Sequence, residues 1–417
     1  MHKPITQLPV DVIAKHIKAL HAQGRHQEVL DIWLQIVRAH PESAAVWGNV
    51  ASNYLMLGQW PDAIHYAQIA LERDKESTVK PYAILSHAYG MLKQWSEARR
   101  YGLQALNMRA DQFNTEPTIA LENLKPIPPS PSPQTREHNI ISFSLFGHSA
   151  KYCETAVLNV QEQPSVYPHW VSRFYVDGSV PEPVIARLRA GGAQIVSVTG
   201  APAQWPGPMW RLLALDDPQA QRILFRDADA VISPREAHAV AQWLVSDKRF
   251  HIMRDWCSHT DLILAGMWGV VAGSLPPLDK LMERFMRVPL ESEHFADQDF
   301  LRQYVWPYAR TSLMQHDSVF GFMDSVPFPD GARPPGFHVG CMESVSFTVP
   351  SRLPDGSEVT WELYRIIEKL PNGRTRANRV CAYPGTVKDG ALKAYIPMRY
   401  QQWIEQGTAG IRLIPGR

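Results

Sequence analysis

Hydrophobic positions recur with different periods along the chain, and the changes of period predict where its domains lie. Through roughly the first 110 residues, apolar side chains return every three or four positions, as on one face of an α-helix. From residue 138 onward, short apolar runs alternate with helical stretches, which is the pattern of a parallel sheet covered by helices. The last seventy or so residues show alternating strands separated by turn signals. The pattern predicts an all-α region, an α/β domain and a β-rich appendage.

The α-helical region contains an internal repeat. Gly24, Gly58 and Lys93 lie 34 and 35 residues apart, each at the turn between two amphipathic helices. The second copy is the clearest and the third matches it, with small and aromatic residues at Trp47, Val50, Ala51, Tyr54, Ala63, Ala70, Tyr82, Leu85, Ser86, Tyr89, Ala98 and Ala105. Over residues 10–110 this period and pattern resemble the tetratricopeptide repeat, which implies a concave face for a protein partner or a second copy of the chain. The alternative is a plain helical bundle.

Proline marks the first domain boundary. Residues 125–133 are rich in proline and favour an extended polyproline II spacer; a site for a proline-binding module is the alternative. We therefore predict helical repeats over 1–112, a linker over 113–137, an α/β domain over 138–345 and the appendage over 346–417. Hairpin signals at Asp355-Gly356 and Asn372-Gly373 predict the β structure of the appendage.

The α/β domain has four predicted strands, at residues 140–147, 172–177, 194–198 and from 223, with helices at 156–161 and 183–190 between them. The fourth strand, in the stretch 223–232, ends at Asp227 and Asp229. Ligands of open α/β sheets bind beyond the carboxyl ends of the strands, where two carboxylates can share a hard cation with a phosphate. The alternative is an Asp-rich turn before a helix with Ser233 as N-cap and Pro234 as its first residue.

Composition narrows the possible partners. Lys plus Arg number 42 and Asp plus Glu 41, so the overall charge recruits neither nucleic acid nor an anionic membrane. The four cysteines show no CxxC spacing and are expected to be reduced thiols, without a zinc site or a disulfide framework. No apolar run approaches the length of a membrane span and no secretory h-region begins the chain, so a cytoplasmic location is expected. Neither GxGxxG nor a P-loop motif occurs.

The ordered set of motifs over residues 138–330 resembles the GT-A glycosyltransferases. The Asp-x-Asp of that family holds a divalent ion against the donor diphosphate, and Asp227 and Asp229 match its two acids. Residues 264–270 resemble the glycine-bearing strand of the acceptor half, although Leu264 replaces the usual asparagine. Residues 296–301 resemble the Asp-Gln-Asp stretch of the retaining family 8 branch, and His316 matches its late metal-ligating histidine. The resemblance implies a nucleotide-sugar donor and Mn²⁺ or Mg²⁺; retention or inversion stays open.

The resemblance also implies roles for residues near the motif. Asp297 is the candidate carboxylate at the reacting carbon, with a helix N-cap as its structural alternative, and Gln298 would orient a sugar hydroxyl. Arg226 would pair with Asp227 or reach a phosphate; an ordinary structural ion pair is the alternative. At the end of the first strand, three side chains fall where the family binds the nucleotide: Ser144, Phe146 and Tyr152. Core packing is the alternative for Phe146.

Ionisable groups are also dense at residues 251–259. We expect Arg254, Asp255 or His259 to contact donor or acceptor, with a buried Arg–Asp pair that fixes a loop as the rival interpretation. The aromatic residues of 205–211 suit either stacking on sugars or packing, and packing is favoured for Trp210.

The sequence thus predicts a metal-dependent, hexosyltransferase-like glycosyltransferase with a glycan, lipid-linked or protein acceptor. One alternative is a non-catalytic nucleotide-sugar-binding adaptor built on the repeats. Another is a metal-dependent phosphohydrolase, which the lack of a denser set of Asp and His metal ligands disfavours.

Overall fold

The computed structural model describes residues 9–75, 78–115, 119, 124–290, 292–369 and 375–415. These residues form two compact units. The first comprises Met1–Glu116 as far as it is described, together with Met253–Leu264 and Gln315–Arg333; the rest of the chain forms the second. The units differ from the linear domains expected from the sequence, because two segments of the α/β region pack with the helical repeats. The appendage and the α/β domain share one unit.

The first unit contains three helical hairpins, whose helices are α1 Val10–Ala22, α2 His26–Ala39, α3 Ala44–Met56, α4 Trp60–Arg73, α5 Lys80–Met91 and α6 Trp95–Gln112. The three repeat positions Gly24, Gly58 and Lys93 have φ values of 69°, 73° and 60°, so each lies in the left-handed region at the turn of its hairpin. Ala51, Ala63 and the other small repeat residues are fully buried. The predicted helix-turn-helix repeat is confirmed.

A seven-stranded sheet is the centre of the α/β region. Its strands are β1 Asn139–Leu145, β2 Val171–Val176, β3 Gln194–Ser197, β4 Arg222–Phe225, β5 Phe250–Arg254, β6 Trp268–Val271 and β7 Leu313–Asp317. Their spatial order is β3-β2-β1-β4-β6-β5-β7. The pairs among β1 to β4 are parallel, whereas β6 is antiparallel to both β4 and β5. The four predicted strands are confirmed within a few residues at each end.

Helices connect these strands at α7 Ala150–Val166, α8 Glu182–Ala190, α9 Pro234–Leu244, α10 Leu278–Phe285, α11 Ala296–Phe300 and α12 Trp306–Ala309. A π-helical turn, Leu301–Val305, joins the last two, and a 3-10 segment, Gly207–Asp216, precedes β4. The predicted start of α9 is confirmed, because the Ser233 side chain accepts a hydrogen bond from the amide of Glu236 and Pro234 is the first helical residue. Helix α7 is much longer than the six residues predicted.

The C-terminal region is β-rich, as expected. It consists of β8 Ser344–Pro350, β9 Glu358–Lys369, β10 Thr375–Thr386, β11 Ala391–Pro397, α13 Met398–Glu405 and β12 Ala409–Pro415. Strand β9 pairs with β10 and β12, and β8 pairs with β11, all antiparallel. Gly356 has a φ of 87° at its predicted turn, whereas Asn372-Gly373 lies outside the described residues. Trp361, Tyr383 and Tyr400 enter the same apolar core as α7.

The described part of the proline-rich segment is fastened to the second unit. The Arg222 guanidinium donates to the carbonyl oxygens of Pro128 and Pro129, both at 2.6 Å, and Arg249 donates to that of Lys125 at 2.5 Å. Residues 116–118 and 120–123 of the predicted linker lie outside the described part of the chain. From residue 125 onward the segment is therefore bound at several carbonyls and is not a free spacer.

Two expectations drawn from composition can be compared with the structure. Cys153, Cys257 and Cys381 are buried, Cys341 is half-buried, and all four are free thiols. In the described ranges, no helix combines the length and the apolar character that crossing a membrane requires.

A buried carboxylate joins the C-terminal region to helix α7. Glu154 is inaccessible to solvent and accepts two hydrogen bonds from Arg187, at 2.7 and 2.9 Å. The hydroxyl groups of Tyr383 and Tyr400 donate to the same carboxylate at 2.5 and 3.1 Å. A buried charge with this many partners is well satisfied, and removing it leaves the partners unpaired.

Replacing Glu154 by alanine is therefore expected to lower the free energy of unfolding by about 3–5 kcal/mol, because Arg187 and two tyrosine hydroxyls lose their acceptor. Glu162 on the same helix offers a matched control, since its ion pair with Arg399 at 2.5 Å is partly exposed. Its alanine variant should cost below about 1 kcal/mol. Urea unfolding at pH 7 measures both, and equal losses would contradict the account.

Candidate functional site

Two aspartates lie in a tight turn at the carboxyl end of β4. Asp227 and Asp229 follow the fully buried strand directly, and the Ala230 amide donates to the Asp227 carbonyl at 3.4 Å. Their side chains are 43% and 25% exposed, so ligands can reach both carboxylates. Strand order reverses between β1 and β4, and the crevice at such a switch point is where open α/β sheets bind ligands.

The turn is fixed from its buried side by Asn159 of helix α7. The Asn159 amide donates to the Ala230 carbonyl at 2.8 Å and accepts from the Ile232 amide at 2.9 Å. On the other side, the Glu343 amide donates to the Asp229 carbonyl at 2.8 Å. Backbone groups around the turn are thus satisfied by protein partners, which holds the two carboxylates in place.

A single buried guanidinium joins the turn to helix α11. Arg211 donates to Asp227 Oδ1 at 2.5 Å and to Asp297 Oδ2 at 2.6 Å, and also to the Arg226 carbonyl at 2.8 Å. Burial alone would lower the pKa of Arg211, but the two aspartates outweigh burial and raise it. Arg211 therefore stays charged and holds carboxylates that are 70 positions apart in the sequence.

Two serines of β1 hold the backbone of Arg211. Ser142 Oγ donates to the Arg211 carbonyl at 2.7 Å, while Ser144 Oγ accepts from the Arg211 amide at 2.8 Å and donates to the Pro208 carbonyl at 3.1 Å. Residues i and i+2 of a strand lie on the same face, which lets both serines reach one residue. Ser144, expected at the nucleotide, thus acts on Arg211.

Asp229 has its own cation. Lys151, in the first turn of α7, lies 3.2 Å from Asp229 Oδ2 and 4.7 Å from the centre of the Tyr152 ring. Burial raises the pKa of the Asp229 carboxyl, and the nearby charge of Asp227 raises it further, while Lys151 acts in the opposite direction. The second carboxylate is thus partly desolvated and is paired with lysine.

Each residue of the Asp-Gln-Asp stretch, residues 297–299, contacts a different partner. Asp297 is buried and binds Arg211; burial raises its pKa, Arg211 partly offsets this, and Asp227 raises it again. Gln298 Oε1 accepts from the Ala265 amide at 3.1 Å, and Asp299 pairs with Arg302 at 2.6 Å. The N-cap of helix α11 is Phe295, and Asp297 lies inside the helix. The alternative role of Asp297 as an N-cap is therefore excluded.

Gly266, which follows Ala265 in the sequence, approaches Asp227 very closely. A Cβ atom built on Gly266 would lie 2.5 Å from Asp227 Cγ and 2.9 Å from the Asp227 amide nitrogen. Such distances are far inside van der Waals contact, so only glycine fits at this position. The glycine-bearing segment expected from the sequence therefore packs directly against the first aspartate.

Arg226 has a structural partner and does not pair with Asp227. It is buried, donates to Glu236 Oε1 at 2.7 Å, and Glu236 also accepts from the Tyr167 hydroxyl at 3.1 Å. The physical reason is the strand geometry, since alternate residues face opposite sides of the sheet and Arg226 faces α9. Arg211 takes the role expected for Arg226.

Near β1, Phe146 and Tyr152 remain partly accessible, whereas Trp210 does not. Phe146 is 41% exposed and meets Trp210 edge to face, with ring centres 5.5 Å apart. Trp210 is buried, which agrees with the packing interpretation. Tyr152 is half-buried, and its hydroxyl lies 3.3 Å from Lys151 Nζ.

The ionisable cluster at 251–259 belongs partly to the first unit, where Arg254 holds a loop. Arg254 is fully buried and donates to the carbonyls of Asp261, at 3.0 Å, and Leu262, and to Gln315 Oε1 at 2.7 Å. The Asp255 amide donates to His259 Nδ1 at 3.0 Å. Arg254 thus holds a loop, as the rival interpretation expected, but its acceptors here are two backbone carbonyls and Gln315 in place of the expected aspartate carboxylate.

His316 is also in the first unit. Its ring is fully buried, with the Phe328 ring centre 5.6 Å away, and burial lowers its pKa to about 4. Among the described residues, no group of three or more His, Cys, Asp or Glu side chains is arranged to hold a metal ion. Of the three expected metal ligands Asp227, Asp229 and His316, the two aspartates are therefore the ones considered below as a metal site.

Those two aspartates still fit a divalent cation. Their ion pairs engage Oδ1 of Asp227 and Oδ2 of Asp229, so each has a further carboxylate oxygen outside its ion pair. Mg²⁺ is usually bound through one or two carboxylates with substrate phosphates supplying other ligands, and not in an all-protein cage. The donor set thus suits an ion that arrives with a phosphate ligand.

The buried histidine makes stability depend on pH. Because the folded pKa of His316 is about 4 against 6.5 unfolded, the unfolded chain binds the extra proton between these values. The stabilisation is complete above pH 6.5 and is lost as the pH falls toward 4, by about 3 kcal/mol. Urea unfolding of the wild type and of His316→Asn from pH 7.5 to 4 should show the difference between them shrinking. A constant difference would contradict this.

Comparisons with known proteins leave the family open. No family model matches the chain, and no curated protein matches it. Similar solved structures include the TPR2B domain of yeast Sti1 in its pHsp70 complex, at 20% identity over 24% of this chain and 80% of that one, with a TM-score of 0.23. The first TPR domain of human RPAP3 is 23% identical over 23% of this chain and 76% of that one, with a TM-score of 0.22.

A larger part of the chain is similar to an O-GlcNAc transferase mutant of Thermobaculum terrenum. The identity is 20% over 50% of this chain and 42% of that one, with a TM-score of 0.28. The assignment of helical repeats to the N-terminal region rests on its own three hairpins. For the rest of the chain, the structural evidence is its mostly parallel sheet and the geometry of the candidate site.

Proposed function

We propose that the chain is a metal-dependent glycosyltransferase of the GT-A type, which moves a sugar from a nucleotide-diphosphate donor to an acceptor. One observation carries the proposal. Asp227 and Asp229 end β4 at the switch point of the sheet, and Arg211 connects Asp227 to Asp297. The accessible carboxylates of Asp227 and Asp229 suit a cation and a diphosphate at that position. The buried carboxylate of Asp297 contacts the same arginine as Asp227 does.

In this proposal Asp227 and Asp229 hold Mn²⁺ or Mg²⁺ together with oxygen atoms of the donor diphosphate. When bound, the ion neutralises the charge that develops on the departing diphosphate. Five charged side chains line this region: Asp227, Asp229, Asp297, Arg211 and Lys151. Three acids against two cations leave one negative charge when all are ionised, which favours a cation at the turn.

Asp297 is the proposed carboxylate at the reacting carbon. In an inverting reaction it would accept the proton of the acceptor hydroxyl, and in a retaining one it would steady the cationic sugar. Arg211 fixes its orientation by a 2.6 Å contact, and Gln298 fixes the adjoining backbone at Ala265. Arg211 is thus a positioning residue that aligns the donor-binding and reacting carboxylates with each other.

The end of β1 is proposed to meet the nucleotide. Phe146 is substantially exposed there and offers an aromatic face for a base, and Lys151 offers a cation for a phosphate. Phosphate oxygens would draw Lys151 from Asp229, which frees that carboxylate for the metal ion.

The acceptor is proposed to be a glycan, a lipid-linked glycan or a protein, and the helical repeats are proposed to bind a protein partner or a second copy. Repeat hairpins present extended surfaces of this kind. In the second hairpin, Tyr66 stacks on both Tyr54 and Trp47, with ring centres 5.0 and 5.6 Å apart. If the site binds a nucleotide sugar but does not transfer the sugar, the chain is instead a nucleotide-sugar-binding adaptor.

A binding screen tests the proposal. Thermal shift is measured with nucleotide-diphosphate sugars that differ in base and sugar, each with and without Mn²⁺. At least one donor should raise the melting temperature, and Mn²⁺ should strengthen that effect because the diphosphate completes the ion's ligands. Absence of any Mn²⁺-dependent shift across the panel would overturn the proposal. Binding without release of nucleoside diphosphate would favour the adaptor.

A further inference from the structure

A short segment that precedes β8, residues 340–343, lies beside the aspartate turn, and we call it the bracing segment. It belongs to the same compact unit as the turn. The Glu343 amide donates to the Asp229 carbonyl at 2.8 Å, and Met342 forms an antiparallel bridge with Ala230. The bracing segment is thus paired, backbone to backbone, with the second aspartate and the residue that follows it.

At its first residue, the bracing segment contacts the chain next to the other aspartate. Gly340 has a φ of 77°, and a Cβ atom built on it would lie 2.7 Å from Met267 Sδ. Glycine therefore lets the segment turn while it passes close to Met267. Met267 follows Gly266, which packs against Asp227. The bracing segment thus touches Asp229 itself and the residue after the glycine that packs on Asp227.

Helix α13 holds the bracing segment on its other side. The Met398 amide donates to the Glu343 carbonyl at 2.6 Å, and the Arg399 amide donates to the Glu343 carboxylate at 3.3 Å. The Arg399 guanidinium in turn donates to Glu162 of α7 at 2.5 Å. Helix α7 also carries Asn159, which binds the aspartate turn from its buried side. The turn, the bracing segment, α13 and α7 are therefore joined in a closed circuit of hydrogen bonds.

A metal site of two carboxylates needs such a frame. Before a cation binds, the like charges of Asp227 and Asp229 repel each other. A site binds its ligand well only when the side chains are held close to their final geometry by surrounding groups. The backbone that carries Asp229 has the Glu343 amide as a partner, so the bracing segment can supply this constraint.

We propose that the C-terminal region is part of the metal site, with Glu343 as a positioning residue that keeps Asp229 beside Asp227 through the bracing segment. The metal in this inference rests on the proposed function, whereas the hold of the segment on the turn does not. The β-rich region then serves the reaction by fixing one ligand of the ion, and it is not a separable appendage.

Proline and alanine variants of the same residue separate the backbone hydrogen bond from the side chain. Glu343→Pro removes the amide that donates to Asp229, whereas Glu343→Ala keeps it. Met398→Pro removes the amide that donates to Glu343, and Met398→Ala keeps it. Met398 is the first residue of α13, where proline is tolerated, and the preceding Pro397 has φ −54° and ψ 142°, which suits a following proline.

The full-length variants are compared by hydrogen exchange of residues 227–232 and by affinity for the donor from the binding screen, with and without Mn²⁺. Glu343→Pro should raise exchange at least about tenfold and lower the ratio of donor affinities with and without Mn²⁺ about fivefold. A general loss of structure would lower both affinities and leave their ratio unchanged. Met398→Pro should act in the same direction with smaller effects, and it tests the inference if Glu343→Pro fails to fold.

Both alanine variants should stay within about twofold of the wild type in exchange and in the affinity ratio. A folded proline variant with the wild-type ratio would overturn the inference, as would an alanine variant that loses as much as its proline partner. If the wild type binds no donor, the proposed function fails and exchange alone decides. Faster exchange in the proline variants would then support the hold of the bracing segment on the turn, and unchanged exchange would refute it.

Discussion

Replacing Asp227 by asparagine is expected to lower kcat/KM for nucleoside diphosphate release by about 10³-fold or more. The substitution keeps the size of the side chain but removes the negative charge that would bind the cation and that Arg211 contacts at 2.5 Å. Steady-state kinetics with saturating Mn²⁺ measures the effect. The melting temperature should change little, because the side chain is 43% exposed.

A second Asp–Arg pair in the same unit provides the control for Asp227→Asn. Asp217 pairs with Arg173 at 2.6 Å, away from the turn in sequence and on the β2 side of the sheet. Asp217→Asn should retain activity within about twofold of the wild type, since that ion pair contacts none of the site residues named above. Equal losses in the two variants would show that the effect is structural and would contradict the assigned role of Asp227.

Replacing Gly266 by alanine is expected to weaken donor binding by about tenfold or more. The added methyl group has no space beside Asp227 and must displace the carboxylate from Arg211, at a stability cost of about 1–3 kcal/mol. Gly178→Ala is the control, because a Cβ there would have no atom within 4 Å. Calorimetric titration with donor and urea unfolding measure the two effects. Wild-type affinity in Gly266→Ala would contradict the close packing described above.

The sequence predicted the fold where local pattern decides it. Buried parallel strands are continuous apolar runs, so β1, β2 and β4 were visible from residue 139 onward. The hairpin turns were equally visible, because Gly24 and Gly58 occupy a backbone conformation that favours glycine. The two-unit division could not be predicted, since it depends on Cys257 and Phe320 docking against residues more than 160 positions earlier.

The site was predictable in part for the same reason. Asp227 and Asp229 stand out because acids seldom end an apolar strand, and Asp297 stands out in its motif. Arg211 was missed as the connecting residue, because it is 16 and 86 residues from its two partners. The available signal was the pair Ser142 and Ser144, two hydroxyl groups on one face of a buried strand that need partners.

The contact with donor or acceptor predicted for the dense charges around Arg254 stays a prediction, because such charges also have structural uses. A buried guanidinium can be satisfied by backbone carbonyls, as Arg254 is by those of Asp261 and Leu262, without any ligand. Charge density in a sequence does not distinguish these two uses, because the acceptors are backbone atoms that every residue carries.

The most direct test of the proposed transferase is release of nucleoside diphosphate from the donor selected by the binding screen. With water accepting the sugar and its proton passing to the solvent, wild-type protein in Mn²⁺ should release it over many turnovers, and both EDTA and Asp227→Asn should abolish release while Asp217→Asn retains it. Release that persists in Asp227→Asn, or binding of the donor with no release by the wild type, would contradict a metal-dependent glycosyl transfer at this turn.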